Sequence, residues 1–326
     1  MKDNMVSGVA LAFSPIAMID RSSPTKPIPP VTNELVTAII RGDLETVDTL
    51  LKSGKSLTAV GQTRNTPLMW AAEYNQVAVV SRLLEANAEI NAKNRWGNTA
   101  LHLAVQWGYE QLTLLLLTAG ADVNAINNQG RDALMVAARH DHRNIARLLL
   151  DRDADLHRAD TVMDETALMI AAKWGSGGIV DLLIKRGADV NRTNREGFSP
   201  LMLAAEAGHE EIVRRLLEEG AELSKTDENG NSALLLAAER GCVAAVHSIL
   251  DYGADANAMN NEGMNALMIA AQQGHMETFS VLIENGANPI QRDNKGETAF
   301  TYLRTSSATG ELGNWLSNIP YFRFAS

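Results

Sequence analysis

The stretch GFSPLMLAAEAGHEEIVRRLLEEGAEL, residues 197–223, predicts two short helices joined by a tight turn. Ser199 and the proline after it suit a helix start, because a hydroxyl caps free N–H groups and proline is tolerated in the first turn. Gly208 ends this helix, and a second helix begins near Glu210, whose negative charge suits a helix N-terminus. Gly220 fits the left-handed position that follows a helix. Two helices this short cannot bury a core, so the unit requires neighbours.

The neighbours are copies of the same pattern along the chain. Positions equivalent to Ser199 recur every 33 residues, with one step of 34 residues between Asp132 and Thr166. Pairs of small residues, such as Ala204-Ala205, recur within the first helix and would let adjacent helices approach closely. A period of this length predicts a stacked helical solenoid. The capping positions are Thr66, Thr99, Asp132, Thr166, Ser199, Ser232, Asn265 and Thr298.

Two segments carry the pattern in its most regular form, NTALHLAVQWG at 98–108 and GADVNA at 120–125. On these motifs the chain resembles the ankyrin-repeat proteins, from about Asn33 to its C-terminal region. The resemblance implies an all-α solenoid of stacked ankyrin repeats, each a β-turn or hairpin followed by two antiparallel helices. Where the family favours His in its TPLH motif, only His102 is present and Met takes most other copies. We expect weaker polar ties at these positions, with Met packing instead.

The repeat frame divides the chain into a tail and a domain of about seven full repeats. Residues 1–32 are predicted to be an apolar and Pro-rich tail or linker, and residues 33–326 the repeat domain. Within that domain, residues 33–60 form a degenerate N-terminal capping repeat with polar surface, as a terminal unit requires. Residues 61–292 form the seven repeats. Residues 293–326 are predicted to form the C-terminal cap, ending in a final helix that covers the core.

Composition limits the class of protein. The net charge is −10 with both signs interspersed, which argues against a general affinity for nucleic acid or anionic membranes. The one cysteine, Cys242, excludes an intramolecular disulfide and falls where other repeats carry His, so we expect a packed thiol. No segment is long enough to span a bilayer.

We expect a cytoplasmic monomer. The alternative is export through a weak N-terminal signal, because residues 6–19 are apolar but lack a positive start and a clear cleavage site.

Candidates for chemistry are absent once the repeat frame is applied. His140, Asp141 and His142 read as a metal cluster, but the frame gives His142 the structural position shared with His209 and His275. His140 then belongs to the exposed face, the two imidazoles are separated, and no third ligand is identifiable. No nucleophile elbow, carboxylate pair or Gly-rich phosphate loop is present. We therefore expect no metal, no cofactor and no intrinsic catalysis.

The region 141–178 departs from the regular pattern of glycines at turns and helix ends. Asp141, Asp153 and Asp164 stand where the other repeats mostly carry glycine. Local strain or a changed stacking angle is one interpretation, and ordinary repeat drift or a functional hinge are the others.

The candidate binding residues occupy positions that the fold leaves free. The family resemblance implies that residues seven and eight positions after each cap face a concave groove, with the hairpin tips beside it. Aromatic and basic side chains concentrate there in the first four repeats, and such residues dominate interface energetics. Trp70, in contrast, falls in a core position. The candidate site residues are Tyr74, Arg95, Trp96, Trp107, Arg131, Arg139, His140, Lys173, Trp174 and Phe198.

The pattern favours a non-enzymatic scaffold or adaptor that binds another protein across repeats one to four. The basic residues suggest that the bound segment is acidic. One alternative is an accessory or effector subunit that presents a substrate to an enzyme on another chain. A second is single-stranded nucleic-acid binding by stacking and arginine. A third is purely structural, with Trp107, His140 and Trp174 stacking on one another. Should the groove be unused, the hairpin tips around Phe198 and Met264 are the next surface.

Overall fold

The computed structural model of the protein describes residues 33–59 and 61–305. The predicted N-terminal tail and the predicted final helix lie outside these residues. In the described part, seventeen helices and no strands follow one another. The helices are α1 (Glu34–Arg41), α2 (Leu44–Lys52), α3 (Pro67–Glu73), α4 (Val77–Glu85), α5 (Ala100–Gln106), α6 (Glu110–Thr118), α7 (Ala133–His140), α8 (Arg143–Leu150), α9 (Ala167–Trp174), α10 (Gly177–Lys185), α11 (Pro200–Ala207), α12 (Glu210–Glu218), α13 (Ala233–Arg240), α14 (Val243–Asp251), α15 (Ala266–Gln273), α16 (Met276–Glu284) and α17 (Ala299–Thr305).

Each helix pair begins and ends where local chemistry requires. Ser199 caps α11 by accepting the backbone N–H of Met202 at 3.3 Å, and Gly208 ends the helix in the left-handed region at φ 73°. The same capping bond begins α1, α3, α5, α7, α9 and α15, whereas Ser232, before α13, makes no capping hydrogen bond. The pairs α3/α4 to α15/α16 are numbered below as repeats one to seven.

The helices form two layers. First helices pack on first helices of adjacent repeats, and second helices pack on second helices. Alanine pairs such as Ala204-Ala205 are fully buried between the first helices, whereas large residues such as Leu216 fill the core between the layers. The first helices therefore pack more closely than the second helices. The stack is concave on the side of the first helices, and the all-α repeat solenoid is confirmed.

The connections between repeats are turns rather than extended hairpins. The backbone N–H of Arg95 donates to the Thr63 carbonyl of the preceding turn at 3.0 Å. The same bond recurs along the stack and ends, in the described part, with Asn294 donating to Glu262 at 3.1 Å. Isolated bridges occur at three turns, for example Ala159–Thr166. The turns are too short for a longer ladder, so the predicted hairpins contain no strands in the described residues.

A side chain between the two helices of a repeat bonds to the preceding repeat. His142 Nε2 lies 3.3 Å from the carbonyl oxygen of Gln106, and His209 and His275 make equivalent bonds of 3.2 and 3.0 Å. The imidazole of His142 fills the space where a Cβ of Gly108 would lie, with Cε1 only 2.6 Å away. Cys242 takes this position in repeat six. It is partly buried, and burial raises the pKa of its thiol, as expected for a packed cysteine.

His102 shows what the methionines replace. The backbone N–H of Thr99 points at His102 Nδ1 at 3.3 Å, so this nitrogen accepts and Nε2–H donates to the Arg131 carbonyl at 3.0 Å. In repeats one and four, the sulfur atoms of Met69 and Met169 lie 3.4 and 3.5 Å from the backbone nitrogens of the capping threonines, Thr66 and Thr166. Thioether sulfur is a weak acceptor and has no proton for the next repeat, so the polar tie is made only through His102 among these three.

The three aspartates of the irregular region keep the glycine-like backbone. Asp141, Asp153 and Asp164 have φ values of 57°, 63° and 61°, in the left-handed region. Aspartate tolerates this conformation better than most residues. Asp141 therefore ends α7 at the position where glycine ends most first helices.

Candidate functional site

The ends of consecutive first helices bring the predicted aromatic residues into one row. Trp107 follows α5, His140 ends α7 and Trp174 ends α9, and Tyr74 follows α3. The Trp174 side chain is 50% exposed, as predicted. Trp107 and His140 are partly buried, so Trp107 faces solvent less than the prediction of exposed groove tryptophans implied.

Trp70 lies beneath this row in the core, as predicted. It is 9% exposed, and its ring centroid lies 6.3 Å from that of Tyr74. Its indole N–H is buried without a hydrogen bond to any described residue. Trp70 is therefore a packing residue that supports Tyr74 from below.

Arg139 and Trp174 form a stacked pair between repeats three and four. The guanidinium carbon of Arg139 lies 4.5 Å from the centroid of the Trp174 ring. Arg139 is partly buried, and burial lowers the pKa of its guanidinium, with the charge of nearby Arg131 acting in the same direction. Glu165 opposes this effect. The stack fixes the orientation of both side chains, because a guanidinium plane and an indole face attract each other.

Two other predicted cations have buried carboxylate partners. Arg131 Nε lies 3.0 Å from Oδ2 of Asp160, and Lys173 Nζ lies 3.0 Å from Oε1 of Glu165. These two acidic partners were not predicted from the sequence, although the residue spacing indicated one of them. Glu165 precedes Lys173 by eight residues, and at the same spacing in repeat one the amide of Asn65 donates to Glu73 at 3.1 Å. The corresponding pair in repeat three is Arg131 and Arg139, two like charges.

A buried carboxylate starts the helix that carries Arg139 and His140. Asp132 is 1% exposed and caps α7 by accepting the backbone N–H of Met135 at 2.9 Å. Its other oxygen, Oδ2, has no hydrogen-bond donor, and Arg158 Nε lies 3.6 Å away. Burial raises the pKa of Asp132 to about 6. The six equivalent caps in the other repeats are neutral, so only repeat three carries this ionisable group.

His140 and His142 are closer than the repeat frame indicated. Their rings stack with centroids 6.0 Å apart and planes inclined by 19°, so the predicted separation of the two imidazoles is wrong. The left-handed conformation of Asp141 returns the chain and brings the two side chains to one side. His142 Nε2 nevertheless keeps its bond to Gln106. No group of three His, Cys, Asp or Glu side chains able to hold a metal occurs among residues 33–59 and 61–305.

The hairpin tips beside the groove are uneven. Trp96 is 50% exposed, with the guanidinium carbon of Arg95 5.6 Å from its ring centroid, and Val162 is also exposed. Phe198 is partly buried against the core. Met264, expected at a tip, is only 5% exposed and belongs to the core. The residue directly before a cap points inward here, so the proposed second surface around Met264 is wrong.

The repeat geometry agrees with a comparison against protein families. A family model described as Ankyrin repeats (3 copies) matches residues 35–127, 94–160, 112–194, 168–260 and 234–306. The chain is an ankyrin-repeat protein. Curated proteins give no match to this ankyrin-repeat chain. No helix in its described residues is both long and apolar enough to cross a membrane. Ankyrin repeats generally mediate protein–protein interaction, and proteins built from them are typically non-enzymatic scaffolds.

The ankyrin groove thus presents one chemical surface in repeats one to four. It combines aromatic faces with a guanidinium held on one of them, while the neighbouring cations are neutralised by buried acids. Such a surface can bind an extended polypeptide through stacking and a small number of charged hydrogen bonds.

Proposed function

We propose that this ankyrin-repeat protein is a non-enzymatic scaffold or adaptor that binds a segment of another protein in its concave groove. The observation that carries the proposal is Trp174, a large aromatic side chain that is 50% exposed and is held in place by Arg139 at 4.5 Å. An exposed indole contributes little to folding, whereas tryptophan and arginine are the residues most enriched at interface hot spots. Tyr74, Trp107 and His140 extend the same row toward repeat one.

The electrostatics favour a protein segment over single-stranded nucleic acid. Phosphate backbones are bound by several free cations along a groove. Here Arg131 and Lys173 are each paired with a buried carboxylate at 3.0 Å. Two of the four basic residues that suggested an anionic partner are therefore neutralised locally, and the expected salt dependence of binding is shallow.

We further propose that the protein is a monomer and binds its partner in the cytoplasm. A single cysteine and a core that needs no disulfide suit a reducing compartment. The accessory or effector role, in which the groove presents a substrate to an enzyme on another chain, uses the same surface and remains the second candidate. Enzymatic activity in the recovered complex that the isolated protein lacks would support that second role.

The test is affinity purification of partners with the full chain and two matched variants. Trp174→Ala removes the exposed groove aromatic, and Tyr252→Ala removes an aromatic that is similarly exposed (46%) at the end of the second helix α14. We expect partner affinity to fall by about 2 kcal/mol in the first variant and to be unchanged in the second. Both variants should melt close to the parent protein.

Trp70→Ala is the control for structural damage. Truncation of this buried tryptophan should destabilise the fold by about 3–5 kcal/mol. If Trp174→Ala melts as badly, the groove aromatics are structural. If Trp174→Ala and Tyr252→Ala recover the same partners with equal affinity, the groove is not the binding surface.

A further inference from the structure

The charges in the middle of the groove are unequally matched. Arg131 and Lys173 each contact a buried carboxylate, Asp160 and Glu165, at 3.0 Å. Arg139 lies between these two pairs and makes no hydrogen bond or ion pair with any described residue; its one close partner is the Trp174 ring. The position eight residues before it, which supplies a polar partner in repeats one and four, holds Arg131 instead.

The surroundings of Arg139 leave its positive charge poorly compensated. The side chain is partly buried and next to a second guanidinium, and both effects disfavour its charge. Glu165 is the nearby acid that opposes them, but its Oε1 already accepts a hydrogen bond from Lys173. A carboxylate from outside would therefore restore the charge balance that the fold provides at the two neighbouring cations.

The stack on Trp174 also fixes how such an anion would bind. A guanidinium that lies 4.5 Å above an indole ring keeps its N–H donors at its edges, in its own plane. That planar fork matches the two oxygens of a carboxylate. Because the stack already restricts the side chain, little further rotamer freedom is lost when the anion binds.

We propose that Arg139, held over the Trp174 ring, binds the carboxylate of a single Asp or Glu side chain in the partner segment that occupies the groove. This inference rests on the proposed function and assigns its acid recognition to one residue. A carboxylate is favoured over a phosphate, because a doubly charged phosphate is best stabilised by a cluster of free cations. Arg139 is a single cation, and its neighbours Arg131 and Lys173 are already paired with carboxylates. Arg131 and Lys173 are positioning residues, which fix α7 and α9 through their buried acids.

The test uses peptides selected on the intact chain from a random 12-residue display library. We expect the selected peptides to contain an Asp or Glu whose replacement by Asn or Gln weakens binding to the parent protein about 10- to 100-fold. The same replacement should have no effect on binding to Arg139→Gln, because the two changes remove one shared interaction. Arg139→Lys should recover only part of the loss, since lysine has no planar fork.

Arg147→Gln is the matched control, because Arg147 is an exposed arginine on α8, the second helix of the same repeat, and is not a candidate groove residue. The acidic residue should matter equally in this variant and in the parent. A phosphoserine peptide with the same flanking sequence should bind no tighter than the Asp or Glu peptide, and much tighter binding would overturn the choice of carboxylate. Circular dichroism of each variant verifies that it is folded.

The outcomes separate this inference from the proposed function. If Trp174→Ala abolishes peptide binding while the acidic residue matters equally in Arg139→Gln and the parent, the groove function stands and the role of Arg139 is wrong. If neither Trp174→Ala nor Arg139→Gln changes peptide binding, the groove itself is not the site and both proposals fail.

Discussion

Replacing Asp132 by threonine should stabilise the protein above pH 6 and leave its stability unchanged near pH 4. Threonine is the cap at the same position in repeats one, two and four, where its hydroxyl accepts the N3 backbone N–H. The substitution therefore keeps the capping bond to Met135 and removes a carboxylate that is 1% exposed. The change tests whether the buried charge costs folding free energy.

The expected magnitude follows from the pKa of Asp132. The value rises from 3.8 to about 6 on folding, chiefly through burial. Each unit corresponds to 1.36 kcal/mol, so ionisation of this group above pH 6 costs the folded state about 3 kcal/mol relative to pH below 3.8. Because the folded-state pKa is the higher one, this stability is present in acid and is lost as the pH rises from about 4 to 6. Loss of the 3.6 Å contact with Arg158 reduces the net gain of the threonine variant to about 1–3 kcal/mol.

The measurement is urea unfolding of both proteins from pH 4 to pH 8, together with the carboxyl carbon NMR titration of Asp132. Thr166→Asp, which installs a carboxylate in the equivalent buried cap of repeat four, should show the opposite effect with the same pH dependence. A titration midpoint below 4, or an Asp132→Thr gain that is equal at both ends of the pH range, would refute the reasoning.

Three further outcomes are expected. Burial lowers the pKa of His102 to about 4, so its contribution to the free energy of unfolding is fully present above pH 6.5 and is lost as the pH falls through 4. In the same urea titrations, His102→Gln should remove up to about 3 kcal/mol of this acid sensitivity. Cys242→His should raise the free energy of unfolding by about 0.5–1.5 kcal/mol, because the imidazole can donate to the Glu206 carbonyl. Gly208 leaves the same space for this ring as the glycines beside His142 and His209 do, and an unchanged melting curve would contradict the expectation. Deletion of the whole repeat 194–226 should leave a helical, cooperatively folded protein by circular dichroism, because each repeat contacts only its neighbours.

The sequence predicted the fold well because its signals are local and repeated. Ser199 as a cap, Gly208 as a stop and the buried alanine pairs are all found where the 33-residue period places them. Each of these features depends on a few neighbouring residues, and seven copies of the same pattern confirm one another. The core position of Trp70 followed from the same frame.

The site was less predictable, because adjacent repeats decide its details. The burial of Trp107 and the pairing of Lys173 with Glu165 depend on how closely side chains of different helices approach. Met264 lies one residue before a cap, where the last backbone turn directs the side chain inward. The stack of Arg139 on Trp174 joins two repeats, and the repeat pattern alone contains no information about such a contact.

The short reach of the bonds between repeats has a consequence for protein synthesis. The Arg131–Asp160 pair and the His142–Gln106 bond join residues 29 and 36 positions apart. Once about three repeats are outside the ribosome and folded, the next repeat can dock as soon as roughly one further unit has been translated, about 2 to 7 seconds later at ordinary rates. From that point the growing chain exposes about one unfinished repeat at a time, and a translational pause leaves an ordered intermediate that ends at a repeat boundary.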